Sequence, residues 1–220
     1  MSKHIRREIS RLKKRVLALG AQVEEILYKA VRALEERDVN LAREVMESDE
    51  AIDQMEVDVE EECLKVLALH QPVAIDLRLI IAILKINNDL ERVGDLAVNI
   101  AERTHFLATR EKLDIPLDFV HMAGLAKEML KKSLDALVTE NAKLAHEVMA
   151  ADDEVDAINR QMYQVIQDGI RSRPDRMPSL IHLLSVSRHL ERIGDLATNI
   201  AEDVIYMIEG DIVRHRTENY

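Results

Sequence analysis

The chain has 220 residues, enough to bury a core in one large domain or two small ones. Apolar residues make up 47% and charged residues 32%, with only 6 Gly, 4 Pro and 3% aromatics, a composition that excludes disordered and collagen-like chains and argues against sandwiches and barrels. Thirty Lys and Arg against 41 Asp and Glu leave a net charge of −11, which disfavours nucleic acid as a partner and suits cations.

The first predicted helix begins near Ser2, a plausible cap. Ile5, Ile9, Leu12, Val16 and Leu19 recur at spacings of four and three along one face, and the helix runs to about Glu36. Lys3, Arg6, Arg7, Arg11, Lys13, Lys14 and Arg15 lie around that stripe. They read as a solvated helix face, or as a contact with an acidic partner or an anionic membrane surface. Asp38 and Asn40 supply a turn and a cap for a second helix over about 40–70, which Pro72 follows. Cys63 falls in phase with the apolar Val45, Ile52 and Val59, so a core position is expected. As the only cysteine it excludes an internal disulfide and points to a reducing cytoplasm. A third helix covers about 75–107, and a polar connector, Thr109 to Pro116, marks the clearest boundary. Three more helices follow at about 117–139, 141–172 and 178–209, with Asn141, Pro178 and Gly210 as punctuation. No stretch approaches ~18 apolar residues, so no membrane span is expected. No apolar segment follows the basic N-terminus, so no signal peptide is read.

The chain repeats itself. Residues 91–102 read ERVGDLAVNIAE and residues 191–202 read ERIGDLATNIAE, identical at ten of twelve positions. LAREVMESDEAID at 41–53 likewise matches LAHEVMAADDEVD at 144–156. A duplicated three-helix unit follows, since a solenoid normally needs three or more repeats. The fold expected is all-α: six helices as two tandem, sequence-related three-helix bundles, over 1–108 and 117–212, each able to close its own core.

On a helical wheel, Leu90, Gly94, Ala97 and Ala101 share one side, as do Leu190, Gly194, Ala197 and Ala201. A Gly inside a helix costs ~1 kcal/mol relative to Ala, so Gly94 and Gly194 imply a close helix contact. Beside each small face runs an acidic stripe that pairs Glu91 with Asp95 and Glu191 with Asp195. The preceding helices carry Asp49 with Asp53 and Asp152 with Asp156 at the same spacing. Like charges four apart destabilise an isolated helix by roughly 0.2–0.5 kcal/mol per pair. If the helices are neighbours, four carboxylates converge in each repeat and a countercharge is needed. Arg92 and Arg192 could supply it in a solvated acidic groove. A hard or oxophilic cation (Mg²⁺, Ca²⁺, Mn²⁺ or iron) could supply it equally through oxygen ligands.

The two ERxGDLAxNIAE helices, with QPVAIDLR at 71–78, resemble the signature segments of the PhoU family of phosphate-uptake regulators, over about 10–210. The resemblance implies two three-helix bundles in a cytoplasmic, non-enzymatic, homodimeric protein. It implies a negative regulator of phosphate uptake and of phosphate-starvation signalling, near the membrane but not inserted. Its implied partners are the ATPase of a phosphate-specific ABC transporter and a sensor histidine kinase. It further implies clusters of iron or other divalent cations on Asp49, Asp53, Glu91 and Asp95, and on Asp152, Asp156, Glu191 and Asp195, with no organic cofactor. The second half has no counterpart of QPVAIDLR, and His189 stands where the first half has Asp89.

The enzyme reading is a ferritin-like di-iron carboxylate oxidase, which needs Glu-x-x-His on two helices. Glu102 to His105 gives one match, but the second repeat has Ile205 in place of the histidine. There is no HExxH, Gly-rich phosphate loop or GxSxG.

Overall fold

The computed structural model describes residues 3–113, 115 and 117–210; Ser2, the expected first cap, and Pro116 lie outside them. Among the described residues the regular structure is helical, without a strand. Helix α1 (Lys3–Glu36) buries Ile5, Ile9, Leu12, Val16 and Leu19 and continues the stripe through Val23, Ile26 and Ala30. Arg6, Arg7, Arg11 and Lys14 remain on its exposed side, while Arg15 is half-buried and donates to the Asp58 carbonyl at 3.2 Å. Asp38, rather than Asn40, caps the next helix: its carboxylate accepts from the N–H groups of Asn40 and Leu41 at 2.9 and 3.0 Å. The expected second helix is interrupted at Ser48 into α2 (Val39–Glu47) and α3 (Asp49–His70). The Ser48 hydroxyl donates to the Val45 carbonyl at 2.6 Å, competing with the helix ladder as short polar side chains do. Cys63 is fully buried, as its phase predicts.

Helix α4 (Ile75–Ala108) closes the first bundle. The second is built from α5 (Phe119–Thr139), α6 (Ala142–Ser172) and α7 (Met177–Glu209). Asn141 caps α6 through the Leu144 N–H, Pro178 lies in the first turn of α7, and Gly210 ends α7 at φ 80°. Arg37, itself at φ 56°, donates to the Leu107 and Arg110 carbonyls and so satisfies acceptors left at the end of α4.

The two bundles do not close separate cores. One hydrophobic cluster runs through both, because α4 packs along α7 and α1 touches α5. The reason lies in α4 and α7 themselves. Ile80, Ile83, Ile86, Leu90 and Val93 are buried around more of α4 than one bundle face needs, and Leu190, Ile193, Leu196, Ala197 and Ile200 do the same in α7. The two helices run antiparallel: Lys85 donates to Asp203 at one end of the seam, and Phe106 stacks on His182 at the other with centroids 3.8 Å apart. No helix among the described residues is long and apolar enough to cross a membrane.

Candidate functional site

The first acidic group is placed by a close helix approach. Ile52 of α3, 1% exposed, fills the space beside Gly94 of α4; a Cβ on Gly94 would lie 2.9 Å from Ile52 Cδ1. Asp49 and Asp53 lie on either side of Ile52 in sequence; Asp49 is within electrostatic reach of Asp95, and Asp53 of both Glu91 and Asp95. The break at Ser48 also makes Asp49 the first residue of α3, where unpaired backbone N–H groups favour an acid. The carboxyls respond to one another. Burial raises the affinity of Asp49 for its proton, and the charges of Asp53 and Asp95 add to that. Glu91 is raised by burial, then by Asp95, Asp53 and Glu56. Asp95 is raised by burial and by Asp53, with Arg92 opposing. Arg92 faces Asp89 at 4.0 Å, so its countercharge is spent partly away from the stripe.

The second group repeats the arrangement more deeply. A Cβ on Gly194 of α7 would stand 3.3 Å from Asp152 Oδ1 and 3.5 Å from Val155 Cγ1 of α6. Asp152 is pushed up to about 6 by burial, then by Asp195, Asp156, Asp153 and Glu191. Glu191 is raised by burial, Asp195 and Asp156 against the opposing arginines Arg188 and Arg192. Asp195 is raised chiefly by burial although Arg192 Nη1 donates to it at 3.3 Å. All eight predicted acids are thus brought into two groups of four, one in each repeat. The small faces serve helix packing, and among the described residues an arginine pairs directly with one of these eight acids only in the second repeat.

Glu56 was not singled out by spacing, yet it follows Asp49 and Asp53 on the same face. It holds Asn87, which donates to its Oε1 and carbonyl oxygen at 2.9 Å each. The aligned second-repeat position is Asn159, which accepts from Ser187 at 2.7 Å. At this edge the first group has a carboxylate where the second has an amide, a difference visible once the halves are aligned.

The donor set fits a hard cation in kind: oxygen-only, acidic and short of positive charge, with Asp49 Oδ1 buried and without a hydrogen-bond partner. It is not preassembled. Among the described residues no group of three or more His, Cys, Asp or Glu side chains is already disposed to hold a metal ion. Holding one requires rotamer changes, for which Asp53 and Asp95, both exposed, have room. Glu102 and His105, the oxidase-like pair, are both exposed on α4 and cannot project into a bundle interior.

A model of the PhoU domain matches the chain twice, over residues 16–104 and 119–204. The chain is 40% identical over 210 residues to the phosphate-specific transport system accessory protein PhoU homolog of Aquifex aeolicus, covering 96% of this chain and 95% of that protein. It is 38% identical over 218 residues to the homolog of the same name in Pseudomonas aeruginosa, covering 98% and 89%. Its fold matches the crystal structure of PhoU from Pseudomonas aeruginosa with a TM-score of 0.89 at 37% identity, covering 94% of this chain and 99% of that one. The phosphate transport system regulatory protein PhoU from Streptococcus pneumoniae matches with a TM-score of 0.86 at 30% identity, covering 95% and 99%.

Proposed function

The chain belongs to the PhoU family, and from that premise we propose that it is a non-enzymatic accessory regulator of phosphate-specific transport, with a cation-responsive acidic group in each repeat. The observation that carries the reading is the likeness, over nearly the whole chain and in both halves, to proteins named as accessory to phosphate transport. The finer reading is that it restrains phosphate uptake and starvation signalling at the cytoplasmic face. There it links the ATPase of a phosphate-specific ABC transporter to a sensor histidine kinase and works as a homodimer.

Asp49, Asp53, Glu91 and Asp95 would hold a cation in the first repeat, and Asp152, Asp156, Glu191 and Asp195 in the second. A bound Mg²⁺, Mn²⁺, Ca²⁺ or iron ion would supply positive charge between mutually repelling carboxylates. The chain's own residues do the rest. Gly94 and Gly194 let the acid-bearing helices approach, Ile52 and Val155 fix their separation, and Asn87 orients Glu56. Neutralising either group removes repulsion between two helices of one bundle, so a cation would tighten α3 against α4 or α6 against α7.

The test of the regulatory role is complementation. In a bacterium lacking its own PhoU-type protein, this chain should restore repression of phosphate-starvation genes at high phosphate. Unchanged derepression at normal expression would overturn the role. For the cation, protein purified without chelator should carry iron, manganese, magnesium or calcium. The double variant Asp95→Asn, Asp195→Asn should lose at least half of it; metal-free protein that does not rebind any of the four would leave only an acidic groove.

A further inference from the structure

The internal repeat makes the α4–α7 seam nearly two-fold, and one end of it lacks the buried carboxylate that the other end has. At the first end Lys85 of α4 meets Asp203 of α7, 1% exposed. The antiparallel register that sets Phe106 against His182 sets Arg103 across from Ser185. Arg103 is the repeat equivalent of Asp203, and Ser185 that of Lys85. The duplication has therefore placed a cation opposite a hydroxyl, where the other end has a cation opposite a carboxylate.

Three hydrogen-bonding nitrogens are left over at that end. Arg103 Nε, His182 Nδ1 and His189 Nε2 are each buried and without a partner. A buried polar atom without a partner costs roughly 1–3 kcal/mol, so three in one neighbourhood call for something to meet them. Arg103 lies within electrostatic reach of both imidazoles. Its Nη2 stands 3.9 Å from the carboxylate of Glu102, an exposed neighbour in sequence whose charge also reaches His189, and the Nε is left unserved. The Ser185 hydroxyl donates to the Ile181 carbonyl at 3.1 Å. Of the three residues, His189 lines an open groove of about 580 Å³ beside this end, together with Leu96, Ser185 and Arg188, while Arg103 and His182 lie outside that lining and Arg192 is already tied to Asp195 farther along. Glu191 and Asp195 form its acidic far wall.

A cation is the wrong guest beside a guanidinium that can never deprotonate. The fitting guest is an anion with several acceptor oxygens, which can take the planar fork of Arg103 and N–H groups from the rings together. We propose that this end of the α4–α7 seam binds a small tetrahedral oxyanion, with Arg103 as the principal donor and His182 and His189 as flanking donors. The site borders the second carboxylate group through Glu191 and Asp195, but it does not depend on that group's being filled.

The experiment uses the full chain with chelator present, so that no cation bridges the ligand to Glu191 or Asp195. Inorganic phosphate is titrated at constant ionic strength and read by calorimetry and ³¹P line broadening, with sulfate and chloride as parallel probes. Saturable binding of phosphate or sulfate, but not chloride, is expected. Arg103→Gln should weaken it at least tenfold, and Arg92→Gln, on the far stripe, should leave it within twofold. Ser185→Asp supplies an internal carboxylate equivalent to Asp203; it should abolish oxyanion binding while raising the melting temperature. Circular dichroism confirms that each variant is folded. Absence of saturable binding to the folded parent overturns the proposal, and so does undiminished binding in Ser185→Asp. Phosphate bound only when cations are restored would assign it to the acidic groups and would also overturn it.

Discussion

At the scale of single residues, Asp152 carries the largest consequence. An aspartate in an unfolded chain titrates near 3.9, whereas in the fold Asp152 is pushed up to about 6, by burial first and by four neighbouring acids second. The native state therefore holds this proton more tightly than the unfolded chain does. The cost of ionising it is absent below about pH 4, grows between 4 and 6, and is complete above 6. In the presence of chelator, Asp152→Asn should stabilise the protein at pH 7.5 by about 1 kcal/mol, well under the full linkage value because water screens a half-buried group. The gain over the parent should fade as pH falls through 6 and vanish near 4. Added Mn²⁺ should reverse the order, raising the melting temperature of the parent more than that of Asp152→Asn. Urea unfolding across pH 4–8 checks the first part; a gain that persists at pH 4 would mean the asparagine acts by packing instead of charge.

At the scale of the helix, the ends of α4, α5, α6 and α7 were legible within a residue or two, because turn residues and apolar periodicity agree there. The break at Ser48 was not legible: α2 and α3 continue one apolar face, and the interruption is local to Ser48, whose hydroxyl and backbone N–H both donate to the Val45 carbonyl. Glycine shows the same difference between propensity and packing. Gly124 sits inside α5 with no atom beyond its own local helix backbone and chain neighbours within 4 Å of where a Cβ would go. Gly124→Ala should gain about 1 kcal/mol from helix propensity alone. Gly94→Ala receives the same propensity gain, but its new methyl would press on Ile52, which is 1% exposed and has nowhere to move. Overpacking of that kind costs roughly 1–3 kcal/mol, so the net effect should be neutral to destabilising by about 1–2 kcal/mol. It should also push α3 from α4 and weaken cation uptake by the first acidic group. Chemical denaturation of the two variants decides the matter; equal stabilisation by both would show that α3 and α4 are not held at the observed separation.

At the scale of the whole molecule, the duplication and the acid pairs it repeats could be read in advance, because both are periodic. The joining of the halves could not. Lys85 and Asp203 are 118 positions apart, occupy non-equivalent places in the repeat, and belong to no motif. Only the observation that α4 and α7 are apolar around more than one face hints that each needs a second neighbour. The consequence is cooperative. With one core running through both bundles, neither half can open without exposing the seam of the other, so thermal unfolding should be a single transition. Lys85→Ala tests this directly. It withdraws positive charge from a carboxylate that is 1% exposed and should cost about 2–3 kcal/mol, somewhat less than for a fully buried pair because the Lys85 side chain is partly exposed. Replacing both partners, Lys85→Met with Asp203→Leu, should recover most of that loss, since two apolar side chains leave no charge stranded. Hydrogen exchange followed separately over α1–α4 and α5–α7 should show both halves losing protection together in Lys85→Ala. If α1–α4 opened while α5–α7 kept full protection, the bundles would be independent units that happen to touch, and the seam would have no part in passing a change at one acidic group to the other.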